Sequence, residues 1–183
     1  MGRLYWVVAL MAEARVIIEE FALRRIEEKS RLFPVFESKS GEVSLVVSGI
    51  GKINAAAASA VLAATQLEET VARGWINFGI GGCSEVRYGE AILASKVTDE
   101  ATQRAWYPVP CWKKSQDFAR LPVTTVDQPV SDYATREGIV EMEAAGFYPI
   151  AMKQTTVELA HVIKVISDDP DHPLDALQKS EVN

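Results

Sequence analysis

Two glutamates flanking a methionine, Glu141-Met142-Glu143, and a polar step at the end of an apolar run, Ser167-Asp168-Asp169, are the places where this chain carries acids in a pattern suited to chemistry. Carboxylates two residues apart point to one side of an extended strand, so both can face one cavity. At a strand-to-helix junction they can equally be a solvated pair favoured by the helix dipole. The thioether between them favours the cavity, as an apolar wall beside polar anchors. Asp168, ending an apolar stretch, reads either as a turn former or cap, or as a general acid if burial raises its pKa.

Two glycine motifs accompany these acids in the sequence. Gly49-Ile50-Gly51-Lys52 invites a phosphate-loop reading, but that loop needs four residues between its glycines and a Ser or Thr after the lysine, and Ile53 follows instead. A tight strand-to-helix turn is the plainer reading, and the helix N-terminus there still offers free N–H groups to an anion. Gly79-Ile80-Gly81-Gly82 follows a strand pattern without opening a helix, which excludes the dinucleotide fingerprint. It reads as a turn, or as a wall where a flat or phosphorylated ligand meets bare backbone at Gly81 and Gly82.

The elements that must position these residues follow from hydrophobic patterning. Leu4 to Leu10 is apolar throughout and reads as a strand buried on both faces, and Ala12 to Glu28 follows as an amphipathic helix. Phe33 to Phe36 and Val43 to Val47 read as strands, and Ala55 to Gln66 as an Ala-rich helix. Trp75 to Phe78, Ala91 to Val97, Val123 to Val126 and Leu159 to Ile166 are further strands, with a helix over Glu143 to Gln154 and at most a short helix in the last ten residues. The span from Ala105 to Pro122 lacks periodicity and reads as a long irregular loop, a candidate lid. Strands alternating with helices predict one α/β domain over 1–183: three layers, α/β/α, around a mixed, largely parallel sheet whose strand ends gather the ligand.

Composition narrows the classes of partner. A formal charge of −6 argues against nucleic acid, which needs clustered Lys and Arg. No apolar run approaches a membrane span and no signal-peptide pattern opens the chain, so a cytoplasmic location and no membrane partner are expected. Cys83 and Cys111 are too few for a disulfide framework, and with His161 and His172 they have no zinc spacing, so no metal is expected and both read as reduced thiols.

Taken in order, Ser48-Gly49-Ile50-Gly51-Lys52-Ile53-Asn54-Ala55-Ala56, Asn77-Phe78-Gly79-Ile80-Gly81-Gly82, Val140-Glu141-Met142-Glu143-Ala144 and Ile166-Ser167-Asp168 resemble the purine nucleoside phosphorylases and the methylthioadenosine/adenosylhomocysteine nucleosidases. The resemblance spans most of the chain and implies a nucleoside phosphorylase-like fold that cleaves the N-glycosidic bond of a purine nucleoside. It implies Asp168 as the acid that protonates the leaving base, with Ser167 beside it. Glu143 is implied to hold ribose hydroxyls, Met142 to lie under the sugar, and Glu141 to sit near the base. A small-molecule nucleoside partner, no cofactor, inorganic phosphate as a candidate co-substrate and a homo-oligomer follow from the same likeness.

The departures bear on the second substrate. The nucleosidases carry three acids after a methionine, the last activating water. Alignment on Met11, itself a candidate substrate contact, puts that acid at Ala14 and leaves Glu13 in the middle position. Glu13 serves as the base only if the backbone shifts by one residue. Arg15 lies where some phosphorylases hold phosphate, which tilts this reading toward phosphorolysis. Ile80 replaces a serine, and Pro129 an aromatic that stacks on the base, leaving Trp106, Tyr107 and Trp112 as stacking candidates. A catalytically impaired nucleoside-binding protein with the same fold is the rival reading.

Overall fold

The computed structural model describes residues 2–65, 72–130 and 136–168. Expectations for Asp169 and for the last ten residues lie outside them. The described elements are β1 (Arg3–Val8), α1 (Met11–Glu20), β2 (Arg24–Arg25), β3 (Val35–Glu37), β4 (Val43–Val47), α2 (Lys52–Ala64), β5 (Arg73–Gly82), β6 (Ala91–Asp99), β7 (Ala105–Trp106), a 3₁₀ turn (Ser115–Asp117), β8 (Ala119–Thr125), β9 (Ile139–Glu141), α3 (Ala144–Ala151) and β10 (Ala160–Asp168).

All strands join one ten-stranded sheet, ordered β10-β6-β8-β9-β5-β1-β4-β3-β2, with β7 beside β6. The long central pairings β1–β4, β1–β5 and β10–β5 are parallel, as is β6–β8. The edges β2–β3 and β3–β4 and the pairing β10–β6 are antiparallel, so the sheet is mixed as expected. Strand β5 also pairs with β10 along one edge and meets β9 at Gly82↔Val140 on the other, closing β5, β10, β6, β8 and β9 into a ring.

Alternation along the strands makes three layers. Tyr5, Val7, Val46 and Trp75 point to one face, where they pack with Ala58 and Leu62 of α2 and Phe147 and Tyr148 of α3. Val8, Leu45 and Phe36 point to the other and pack on Ala14 and Ile17 of α1. The Tyr5 and Trp75 rings lie 4.9 Å apart at the centre of the first cluster, both fully buried. Helices α2 and α3 cross so closely that a Cβ on Gly146 would fall 1.8 Å from the Lys52 carbonyl oxygen.

Most element limits shift by a few residues from the sequence reading, and three differences are larger. Helix α1 stops at Glu20, not Glu28, because Phe21-Ala22-Leu23 forms a Schellman end: Leu23 N–H donates to the Ile18 carbonyl and Ala22 N–H to that of Glu19. Ala22 takes φ +48°, a conformation for which glycine is the usual signal, so the stop was silent in the sequence. Gly79 to Gly82 is not a turn but the end of β5. The segment from Ala105 to Pro122 contributes β7, the 3₁₀ turn and part of β8, and Val109 N–H donates to the Val157 carbonyl just before β10 begins. Val109 thus lies at the end of β10 opposite Asp168, and no residue of the segment lines the cavity containing Asp168, so it is no lid over that residue. Both cysteines are free, and among the described residues no helix is long and apolar enough to cross a membrane.

Candidate active site

One cavity of about 260 Å3 is lined by residues at or just beyond the carboxyl ends of six strands. Those strands are β1 (Ala9, Leu10, Glu13), β4 (Ile50), β5 (Ile80, Gly81, Gly82), β8 (Val126, Pro129, Val130), β9 (Val140, Glu141, Met142, Glu143) and β10 (Ser167, Asp168). Of the residues singled out from sequence, Glu13, Gly81, Gly82, Glu141, Met142, Glu143, Ser167 and Asp168 are brought together here. Met11 and Arg15 are not: both are exposed on α1, outside the lining.

The first turn of α1 settles the register left open by the sequence. Ala14 is buried in the core against β4, whereas Glu13 turns into the cavity. Leu10, not Met11, occupies the lining position that precedes the helix. The Glu13 carboxylate is fixed by three backbone donors: Oε2 accepts from Ala9 N–H at 3.0 Å and Leu10 N–H at 2.8 Å, and Oε1 from Ile80 N–H at 3.1 Å. A carboxylate oxygen accepts two bonds, so Oε1 keeps one lone pair for a further donor. Gly79 makes this possible, because a Cβ there would stand 3.0 Å from Glu13 Oε1 and 3.3 Å from Lys164 Nζ.

Lys164 is the site residue that sequence reasoning missed. It is 1% exposed, with Nζ 2.8 Å from Glu141 Oε2 and 3.7 Å from Glu143 Oε2. Burial pushes its ammonium toward neutrality, but Glu141, Glu143 and Glu13 outweigh that and hold its pKa above the ordinary lysine value. A lysine inside an otherwise apolar strand was the available signal, since buried lysines occur almost only when paired.

Glu141 is fully committed to structure. Its oxygens accept from the N–H groups of Glu143 (2.9 Å) and Ala144 (2.9 and 3.1 Å) at the start of α3, and from the Thr125 hydroxyl, besides pairing with Lys164. It caps the start of α3, but Glu141 and Glu143 are both buried, so the cavity reading holds and the solvated-pair reading does not. Glu143 accepts the Gly51 N–H on Oε1 at 2.8 Å, which means the N-terminus of α2 holds this carboxylate in place of a phosphate. Burial raises the Glu143 pKa, with the neighbouring Glu141 and Glu13 adding to it and Lys164 opposing.

Asp168 ends β10, buried, with its Oδ1 accepting the Ser167 hydroxyl at 2.5 Å. Gly81 lets β9 approach: a Cβ would lie 2.6 Å from Ile139 Cγ2 and 3.0 Å from the Val140 carbonyl oxygen. Leu10, Ile50, Ile80, Val126, Pro129, Val130, Val140 and Met142 supply apolar wall around the acids. None of the three candidate stacking aromatics is in the lining. Trp106 packs on Tyr148, Trp112 stands edge-on to His161, and Tyr107 is exposed. Among the described lining residues there are four acids and no lysine or arginine, and no cluster of His, Cys, Asp or Glu among the described residues suits a metal ion.

The described residues adopt the nucleoside phosphorylase fold, in the form seen in solved structures of methylthioadenosine/adenosylhomocysteine nucleosidases. The apo 5′-methylthioadenosine nucleosidase of Arabidopsis thaliana matches with a TM-score of 0.78 at 16% identity, over 93% of this chain and 83% of that one. The Neisseria meningitidis 5′-methylthioadenosine/S-adenosylhomocysteine nucleosidase, solved with methylthio-immucillin-A, matches at 0.71 and 20% identity over 94% and 89%. The Streptococcus pyogenes S-adenosylhomocysteine nucleosidase, solved with 5-methylthiotubericidin, matches at 0.72 and 17% identity over 94% and 87%. No protein-family model and no curated protein sequence matches the chain.

Proposed function

We infer that this protein hydrolyses the N-glycosidic bond of a purine nucleoside, releasing the free base and the free sugar. The observation that carries this is the convergence of Glu13, Glu143 and Asp168 on one apolar-walled cavity. The nucleosidases of like fold support it, and the substrates they are named for make a 5′-methylthio- or homocysteinyl-adenosine the first compounds to try.

The chemistry follows from charge. As the bond from C1′ to the base nitrogen lengthens, the sugar becomes an oxocarbenium-like cation and the base an anion. Asp168 is placed to deliver a proton to a purine ring nitrogen, so that the base leaves neutral. Glu143 accepts hydrogen bonds from ribose hydroxyls, and Met142 packs under the ring. A water on the open lone pair of Glu13 Oε1 attacks C1′ and passes its proton to that carboxylate. The carboxylates beside C1′ gain interaction as the cation develops, which lowers the transition state more than the ground state.

Water is favoured over phosphate as the nucleophile, which reverses the tilt that Ala14 and Arg15 give in the sequence. Arg15 is exposed, and the described lining offers an acidic cluster beside which the Lys164 ammonium is already engaged by carboxylates. A phosphate ion brought there meets repulsion rather than a cationic clamp.

Replacing the proton donor or the base gives the direct test. Asp168→Asn and Glu13→Gln are each expected to lower kcat for base release by ~10²–10⁴-fold, the usual contribution of a positioned acid or base. Wild-type turnover in both variants would overturn the assignment.

A further inference from the structure

Residues 126–130, directly after β8, form one wall of the cavity, and their side chains divide by side. Val126, Pro129 and Val130 line the cavity, with Val130 and Met142 packed against Val126 and Val140, while Asp127 and Gln128 face solvent. The backbone of this segment is held at its start, where Val126 N–H donates to the Glu141 carbonyl. Beyond that point the tether is a side chain. Lys52, first residue of α2, places Nζ 2.9 Å from Asp127 Oδ1 and 2.8 Å from Asp99 Oδ1 at the end of β6. Asp99 is in turn fixed by the Thr102 hydroxyl at 2.6 Å. Lys52 directly follows Gly51, whose N–H holds Glu143.

We propose that Lys52 is a positioning residue of this site: its link to Asp127 holds the 126–130 wall in register with Glu143, so that Gly51 and Lys52 together couple the wall to the carboxylate. This rests on the nucleosidase reading for its kinetic consequence but not for the link itself. The Lys52 side chain is 21% exposed and Asp99 11%, so the anchored half of the link is sheltered, while Asp127 at 56% is the half that opens. Exposed pairs are weak and screened by salt. The wall is therefore held by an interaction that a change of ionic strength adjusts, unlike the buried Lys164 cluster.

Asp127→Asn is the selective variant, because it leaves Lys52–Asp99 and the helix intact at an exposed position. In the wild-type chain and in this variant, hydrogen exchange at the amides of residues 126–130 is measured first, without ligand. Faster exchange confined to that segment in Asp127→Asn is expected, with Asp127→Glu restoring protection; unchanged exchange overturns the proposal whether or not the protein is an enzyme. KM and kcat for the best nucleoside are measured next. KM is expected to rise by about 3- to 10-fold with kcat held within about twofold, the scale of losing one partly exposed pair. Raising salt from low to high is expected to move wild-type KM toward that of the variant and leave the variant unmoved. Faster exchange with unchanged KM leaves a tether without a positioning role and also overturns the proposal, whereas absent wild-type turnover with the exchange result intact counts against the nucleosidase reading alone.

Discussion

Glu143 is the residue at which stability and function pull apart. Burial beside Glu141 and Glu13 raises its pKa above the ordinary glutamate value, despite Lys164. Folding therefore disfavours its ionisation: the stability it contributes is fully present below the unfolded pKa of about 4.5 and is lost as pH rises through the folded pKa. Glu143→Gln keeps an acceptor for the Gly51 N–H and has no charge to bury. It is expected to raise the thermal midpoint at pH 7 by about 3 °C, since ~1 kcal/mol moves a domain of this size by about 2–4 °C. The gain should vanish near pH 4, and base release should fall. A thermal-unfolding series across pH checks this, and a lower midpoint at pH 7 contradicts it. The same scale shows what the sequence could and could not say. Glu141 and Glu143 were legible because their spacing puts them on one side, and both do reach the Lys164 ammonium. Lys164 was overlooked because it sits inside a run judged only by its apolar neighbours. Glu13 and Ala14 were ambiguous because a helix start offers two registers, and only burial chooses: the small side chain went to the core and the acid to the cavity.

At the scale of elements, glycines set how closely the pieces carrying the acids approach. Gly146 of α3 lies against the Lys52 backbone at the start of α2, where backbone cannot move aside as a side chain would. Gly146→Ala is expected to destabilise the fold by about 3 kcal/mol or more, at the upper end for overpacking a tight contact. It should also lower activity, because the crossing sets the Gly51–Glu143 bond. Urea denaturation read by tryptophan fluorescence measures it, and a loss under about 1 kcal/mol would show that the helices separate easily. Strand and helix identities were legible from periodicity, as β1, β4, α2 and β10 illustrate. Their limits were not where tertiary packing decided them. The end of α1 at a left-handed alanine carried no glycine signal, and the glycines of β5, read as a turn or a ligand wall, continue the strand, line the cavity at Gly81 and Gly82 and admit Glu13, Lys164 and β9.

For the whole molecule, the layered order was readable from alternation of strands and helices, and a cavity does lie at the carboxyl ends of the strands, where the ligand was expected. The ring closed by β5, β10, β6, β8 and β9 was not readable, because pairing between strands distant in sequence leaves no local trace. That ring brings the ends of β8 and β9 to those of β5 and β10, and so brings Glu141 and Glu143 to Ser167 and Asp168. The arrangement makes a cavity rich in acids and without a lining cation among the described residues, and on the proposed reading that sign favours water over phosphate as the attacking group. The measurement that reaches this claim most directly is base release from methylthioadenosine, adenosine, inosine and guanosine, each in phosphate-free buffer and again with phosphate added. Release in phosphate-free buffer, yielding free sugar and unchanged by added phosphate, is the predicted result. Release that requires phosphate and yields a sugar phosphate would contradict it, as would saturable nucleoside binding with no base released under either condition.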